Sequence, residues 1–373
     1  MKQRNQMIDL ARIVFCLAVV SNHWNSMVNG AESVYITTRY GYLSVEFFFI
    51  VSGLFMTAGI KKYQHMSIGL ATGKNLINKY KHIFPYYSIA WILAMIVQHL
   101  SINITVQQIA KDAIRSVPAF LGFEMLGVPL YQANGPTWYI SAMLVALLIL
   151  FPLLFAFKEK YTGIMAPIIS LFGYSYLLAT VGHFSTILPL DNGTVYTRLI
   201  RGIAGMSLGS MCYKFSESLS SKKLSLYGMK LLTVIEIASY IIALMLMNTQ
   251  GWIRPDFFVV ILFAIAVTLT YSNKTFTTKL KIPLSNGFLG RLSLAIYLAD
   301  SPARALTVCL LPDAGRDLRI IPSLIILACF STIVMILGNI LSRKITVGIS
   351  KIRDACLLKE TSQLRVGDES SAR

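Results

Sequence analysis

"RIVFCLAVVSNHW", residues 12–24, is an apolar run that opens on an arginine and carries a histidine near its end. A charged side chain near the centre of a bilayer costs roughly 2.5–3.5 kcal/mol on insertion scales, so membrane spans keep such residues for function or place them at the interface. On an α-helix, eleven residues turn through about 1,100°, which leaves about 20° after three full turns, and they rise about 16 Å. Arg12 and His23 therefore share one face at two depths. Taken singly, Arg12 would snorkel to headgroups and His23 would be interfacial; the shared face favours a joint role.

The rest of the chain sets that helix in a membrane. Hydrophobic residues make up 55% of the 373 and charged residues 14%. Soluble globular chains carry about 25% charged residues. Apolar runs recur at 8–28, 42–60, 83–100, 137–157, 163–181, 195–213, 231–248, 257–272, 288–311 and 320–342, each near the ~20 residues that cross a hydrocarbon core. The expected fold is an all-α integral membrane bundle of about ten transmembrane helices.

Ten spans put both termini on one side. Basic residues crowd the segments of that side, with Lys61, Lys62, Lys74, Lys79 and Lys81 after the second run and Lys214, Lys222, Lys223 and Lys230 after the sixth. The positive-inside rule then makes both termini cytoplasmic. Loop-by-loop placement also accounts for the net charge of +17 without a nucleic-acid partner. The first run lacks a small-residue cleavage site and reads as a retained helix. Residues 1–351 read as one membrane domain and 352–373 as a short polar cytoplasmic tail, disordered by composition. Cys16, Cys212, Cys309 and Cys329 fall in spans and Cys356 in the tail, which suggests no disulfide framework and leaves them as packing residues. No metal site is expected. The outer segment 101–136 is apolar but rich in Gly and Pro, and is expected to fold back on the bundle.

Polar residues inside the runs mark the chemistry. The second run, "GYLSVEFFFIVSGLF", enters from outside, so Glu46 reaches about the depth of His23 and could hold one imidazole tautomer. Ser52 and Gly53 would allow a close helix approach below it. "NGPTWYISAML" places Asn134, Trp138 and Tyr139 at the opening of the fourth run, either as an interfacial aromatic belt or lining a substrate. "SLAIYLADSPARAL" places Tyr297, Asp300 and Arg304 on one face, where an Asp300–Arg304 ion pair would make both charges tolerable. Arg198 and Arg201 sit at the external end of the sixth run, where snorkelling explains them.

Four stretches together resemble the acyltransferase-3 family of bacterial multi-spanning membrane acyltransferases. "IDLARIVFCLAVVSNH" looks like its opening motif, "VEFFFIVSGLF" like its second-helix motif, and "PTWYISAML" and "SLAIYLADSP" like its later Trp-Tyr and Ser-Tyr-Leu motifs. The approach "NKYKHIFPYY" is also similar. Glu46 stands where many members have aspartate, Asp300 where many have histidine, and Lys61 and Lys62 where members often have arginines.

The resemblance implies a ten-helix enzyme of the bacterial cytoplasmic membrane. It would move an acyl group, often acetyl, from cytoplasmic acyl-CoA to a hydroxyl of a surface glycan or lipid-linked sugar. The acyl-CoA is a donor substrate, and no permanently bound cofactor is implied. His23 matches the catalytic histidine, with Glu46 and Arg12 beside it. Arg12, Lys61, Lys62, Lys79 and Lys81 become the expected donor contacts, and Asn134, Trp138, Tyr139, Tyr297 and Asp300 the expected acceptor lining. Membrane lipids are the remaining partner. The residues themselves leave two alternatives open: a transporter or flippase, and a membrane partner that passes an acyl group to a separate soluble transferase.

Overall fold

In lipid, the backbone amides of an apolar run are satisfied within the run only by an α-helix. The computed structural model describes residues 5–24, 38–100, 105–126, 131, 133–185, 197–249, 254–280, 282 and 287–371, and among them are helices and no strands. The helices are α1 (Gln6–Trp24), α2 (Ser44–Gly59), α3 (Ile68–Leu100), α4 (Val106–Phe120), α5 (Trp138–Phe157) and α6 (Ala166–Val181). They continue with α7 (Thr197–Ser220), α8 (Leu226–Asn248), α9 (Asp256–Tyr271), α10 (Phe288–Leu310) and α11 (Arg316–Ser371).

Among the described residues, seven segments are long and apolar enough to cross a membrane: α1, α2 with its flanking turns, α3, α5, α6 with the turn before it, α8 and the 318–348 part of α11. α9 is apolar but has only 16 residues. α7 and α10 are not among the seven: α7 carries Arg198, Arg201 and many Gly and Ser residues, and α10 carries Arg291, Asp300 and Arg304, which lower their apolar character. α11 carries its helical backbone into the stretch after 351 that composition reads as disordered; "LLKETSQLR" there is made largely of good helix formers.

Local signals set the ends. Thr105 caps α4 by accepting from the Gln108 amide at 3.3 Å, and Ser225 caps α8 by accepting from the Gly228 amide at 3.1 Å. Gly182, with φ 76°, closes α6 in the left-handed conformation that glycine adopts without steric cost. The outer segment folds back as its composition suggests. Tyr87 donates to the Ala119 carbonyl, the Met125 amide donates to Ser141 Oγ at 3.0 Å, and Gln98 donates to the Ala133 carbonyl at 2.8 Å.

Two apolar clusters form the interior. One gathers Val19, Val20, Tyr86, Leu147, Phe151 and Leu298. The other gathers Phe15, Phe47, Tyr240, Phe263 and Val267, with the Phe15 ring 4.8 Å from Phe47 and 4.7 Å from Phe263. α2 and α7 pack most extensively of all pairs. Their backbones nearly touch: a Cβ on Gly53 would stand 1.9 Å from the Met206 carbonyl oxygen, and one on Gly209 2.0 Å from that of Ile50. Small residues at such crossings let helices gain dispersion contact where lipid offers no hydrophobic drive. Gly53→Ala and Gly209→Ala should each cost about 1–3 kcal/mol of overpacking strain and so lower the thermal midpoint in detergent. Gly59→Ala, whose Cβ would meet nothing within 4 Å, should leave it unchanged.

Candidate functional site

α1 and α10 lie side by side and parallel. Cys16 Sγ is 3.2 Å from the Ser293 carbonyl oxygen, and His23 Nδ1 is 2.7 Å from Asp300 Oδ2. Both pairs are 277 residues apart, so the register holds over nearly two turns. Asp300 has 2% of its side chain exposed and His23 30%. Arg304, one turn along α10, brings Nε to the same Oδ2 at 3.2 Å, so the expected ion pair is present and is shared with the histidine. Asp300 Oδ1 is buried without a hydrogen-bond partner among the described residues. A carboxylate on Nδ1 favours the tautomer with its proton there and a lone pair on Nε2. That arrangement suits a general base.

Glu46 does not supply this carboxylate, contrary to expectation. Its side chain turns toward α7, where Arg201 Nε donates to Oε1 and Tyr174 donates to Oε2. Arg201 also donates to the Tyr42 carbonyl at 2.7 Å. Glu46 and Arg201 are 0% and 2% exposed, and a carboxylate so buried needs a permanent cation more than a titrating imidazole. Arg201 is thus an interior ion-pair residue and not a snorkelling one.

Trp138 belongs to the same assembly. Its ring centroid lies 5.7 Å from the Arg201 guanidinium carbon and 5.2 Å from that of Arg198. Arg198 in turn reaches Glu124 at 3.4 Å. Burial lifts the Glu124 carboxyl to about 7, with Arg198 opposing the rise.

A cavity of about 670 Å³ opens between α1, α2, α3, α5, α10 and α11. Arg12, Lys79, His82, Arg291 and Arg343 give its wall positive charge, and Tyr86, Tyr139 and Tyr297 give it aromatic surface. Arg12 is steadied by Asp9 at 3.2 Å and lies 5.4 Å from the Phe55 ring centroid. The Tyr139 and Tyr297 rings meet edge to face at 6.0 Å, and Tyr297 is one turn before Asp300 on α10. Tyr139 also pairs with Ser52 at 3.2 Å, and Tyr297 donates to the Pro136 carbonyl.

Of the expected donor contacts, Arg12 and Lys79 line this cavity. Lys61 lines a separate one, while Lys62 and Lys81 are exposed and line neither. Of the expected acceptor lining, Tyr139 and Tyr297 face the cavity and Asp300 holds His23. Asn134 instead donates to the Leu298 carbonyl at 2.9 Å and buttresses α10.

Sequence reading missed His82, Tyr86, Arg291, Asn339 and Arg343. Lys79, His82 and Tyr86 fall at helical spacing on one face of α3, a signal present in the sequence. Asn339, which accepts from Tyr86 at 2.8 Å, and Arg343 come from the last helix, where no local pattern points to them.

A family model described as an acyltransferase domain matches residues 5–342. The chain belongs to the acyltransferase-3 family. No curated protein and no solved structure matches it. Membership makes this chain a multi-pass membrane acyltransferase, and the matched range contains His23, Asp300 and every charged residue of the cavity wall except Arg343.

Two outcomes follow for this acyltransferase. Glu46→Ala would leave Arg201 buried and unpaired, at a cost of about 3–5 kcal/mol, and should sharply reduce the yield of folded protein by size-exclusion chromatography. Burial raises the folded pKa of the Glu124 carboxyl from its ordinary value of 4.5 to about 7. Its contribution to stability is therefore complete below about 4.5 and is lost as pH rises through about 7. The thermal midpoint should climb as pH falls across that window, and Glu124→Gln should flatten the climb.

Proposed function

We propose that this acyltransferase carries an acyl group, acetyl by family resemblance, from cytoplasmic acyl-CoA to a hydroxyl of an extracytoplasmic glycan or glycolipid. The reading takes the chain as a ten-span protein of the bacterial cytoplasmic membrane with both termini inside. One observation carries it: the two parallel helices that bring Arg12 and Arg291 to the cavity bring His23 and Asp300 together further along, His23 near the end of α1 and Asp300 midway along α10.

Arginine presents a planar fork of donors that matches phosphate oxygens in pairs. Arg12, Arg291 and Arg343, with Lys79, would hold the polyanionic nucleotide end of the donor. The pantetheine arm would run along the aromatic wall toward Tyr139 and Tyr297. The rise of about 16 Å from Arg12 to His23 is comparable with an extended thioester arm. The acyl group would pass the tyrosine pair to reach the histidine one turn beyond.

His23 Nε2 would then take the proton of the acceptor hydroxyl as the oxygen attacks the thioester carbon. The C–S bond breaks, the sulfur leaves as coenzyme A thiolate, and the imidazolium returns the proton to it. Asp300, buried on Nδ1, would keep the ring oriented and stabilise its charged form. This role passes to Asp300 from Glu46.

Reconstituted protein with labelled acyl-CoA and a candidate acceptor tests the reading. His23→Ala should abolish transfer, and Asp300→Asn should reduce kcat by roughly 10²–10⁴-fold. Arg343→Ala should raise the KM for acyl-CoA with kcat nearly unchanged, because donor binding is lost equally from ground and transition states. Full transfer by His23→Ala would sink the catalytic assignment, and a labelled acyl-histidine formed without acceptor would replace direct transfer by a two-step reaction.

A further inference from the structure

A second cavity, of about 420 Å³, lies on another side of α2. Ser52 lines the first cavity and Thr57 the second, and five residues carry the chain about 140° round the helix. The walls of the second cavity come from the ends of α2 and α5 and from α7.

Three observations bear on what it holds. The first is backbone strain. Lys158, at the end of α5, has φ 44° and ψ −108°, a conformation that costs a non-glycine residue on the order of 1–3 kcal/mol, and a π-helical turn, Tyr161–Met165, follows it. Both features recur where a fold serves a ligand.

The second observation is charge. Three lysines and two glutamates line the cavity. Lys214 faces Glu159 at 3.6 Å, and Glu217 accepts from Tyr213 at 2.5 Å. Lys61 and Lys158 have no ion pair among the described residues. Two amines thus stand unmatched in a lining of net charge +1.

The third is the neighbouring surface. Ile60, Leu154 and Phe155 give the cavity an apolar wall. Phe157 and Phe215, beside Lys158 and Lys214, are 47% and 60% exposed, as at a lipid-facing rim.

We infer that this cavity binds the phosphodiester headgroup of an anionic glycerophospholipid, with the phosphate between Lys61 and Lys158 and acyl chains along Ile60, Leu154 and Phe155. A headgroup of single negative charge brings the lining to neutrality. A zwitterionic headgroup leaves it positive, so the site selects by net charge. Its placement in the inner leaflet rests on the orientation proposed above; the binding itself does not rest on acyl transfer.

Native mass spectrometry of the purified full chain, with added phosphatidylglycerol or phosphatidylcholine of identical acyl chains, reads the site directly. Phosphatidylglycerol should be retained in preference, and Lys61→Gln with Lys158→Gln should weaken its retention about tenfold or more. Each single variant, at an exposed position, should give a smaller loss with an unchanged thermal midpoint. Arg343→Gln, in the other cavity, should retain the lipid fully. Equal retention of the two lipids, or undiminished retention by the double variant, would overturn the proposal. So would loss of the lipid from Arg343→Gln, which would move it to the donor cavity. Because the readout is lipid retention, it fails or succeeds independently of the transfer assay.

Discussion

The His23–Asp300 bond exists because α1 and α10 run parallel with a constant offset of 277 residues. A slip of one residue would turn Asp300 about 100° away from the imidazole. The register is held from several sides: Cys16 meets the Ser293 carbonyl, Asn134 ties the α10 backbone, and α3 and α11 pack against the rest of α10. A buried carboxylate in a bilayer is costly unless met by a partner. Arg304 supplies a permanent one, and the imidazole shares the same oxygen. The ion pair keeps Asp300 tolerable in the membrane, and its second contact gives the histidine an orientation.

The other buried charges serve the frame. Glu46 and Arg201 lock α2 to α7 where Gly53 and Gly209 bring the backbones together. The bond network spreads from there. Tyr174 holds Glu46, the Tyr42 carbonyl holds Arg201, and the Tyr42 hydroxyl donates to Asp256 at 3.0 Å, which also accepts from the Phe184 amide at 2.7 Å. Such a network, with its members matched, gives one arrangement of helices an advantage over near alternatives. Trp138 stacks on its edge and Tyr139 next in sequence faces the cavity, so one turn of α5 joins the rigid frame to the lining.

Much of this was legible in the sequence, and what was not has a common cause. Hydropathy and length marked the apolar runs, and the 3.6-residue period placed Arg12 and His23 on one face. That Glu46 would take an interior partner was readable too, since its side chain is fully buried. Azimuth between helices was not: nothing local says whether Glu46 looks toward α1 or α7. The partner of His23 was visible as half of an i,i+4 pair with Arg304, but its second contact lies 277 residues away. Arg291 and Arg343 were overlooked for the same reason, since their meeting with Arg12 is a property of packing and not of any stretch of chain.

The division of cations between the two cavities follows from their chemistry. The larger cavity, walled by six helices, takes three arginines, whose donors pair with phosphate oxygens geometrically. The smaller, at the rim of α2, α5 and α7, takes lysines, whose long stems reach out from an apolar surface to keep the amine near water. Lys61 follows closely on α2, yet the turn of that helix carries it away from Arg12. The basic wall of the larger cavity is therefore drawn from α1, α3, α10 and α11. A polyanion bound there would cross-link the first helices to the last ones, and its grip would tighten the same α1–α10 register that sets Asp300 against His23.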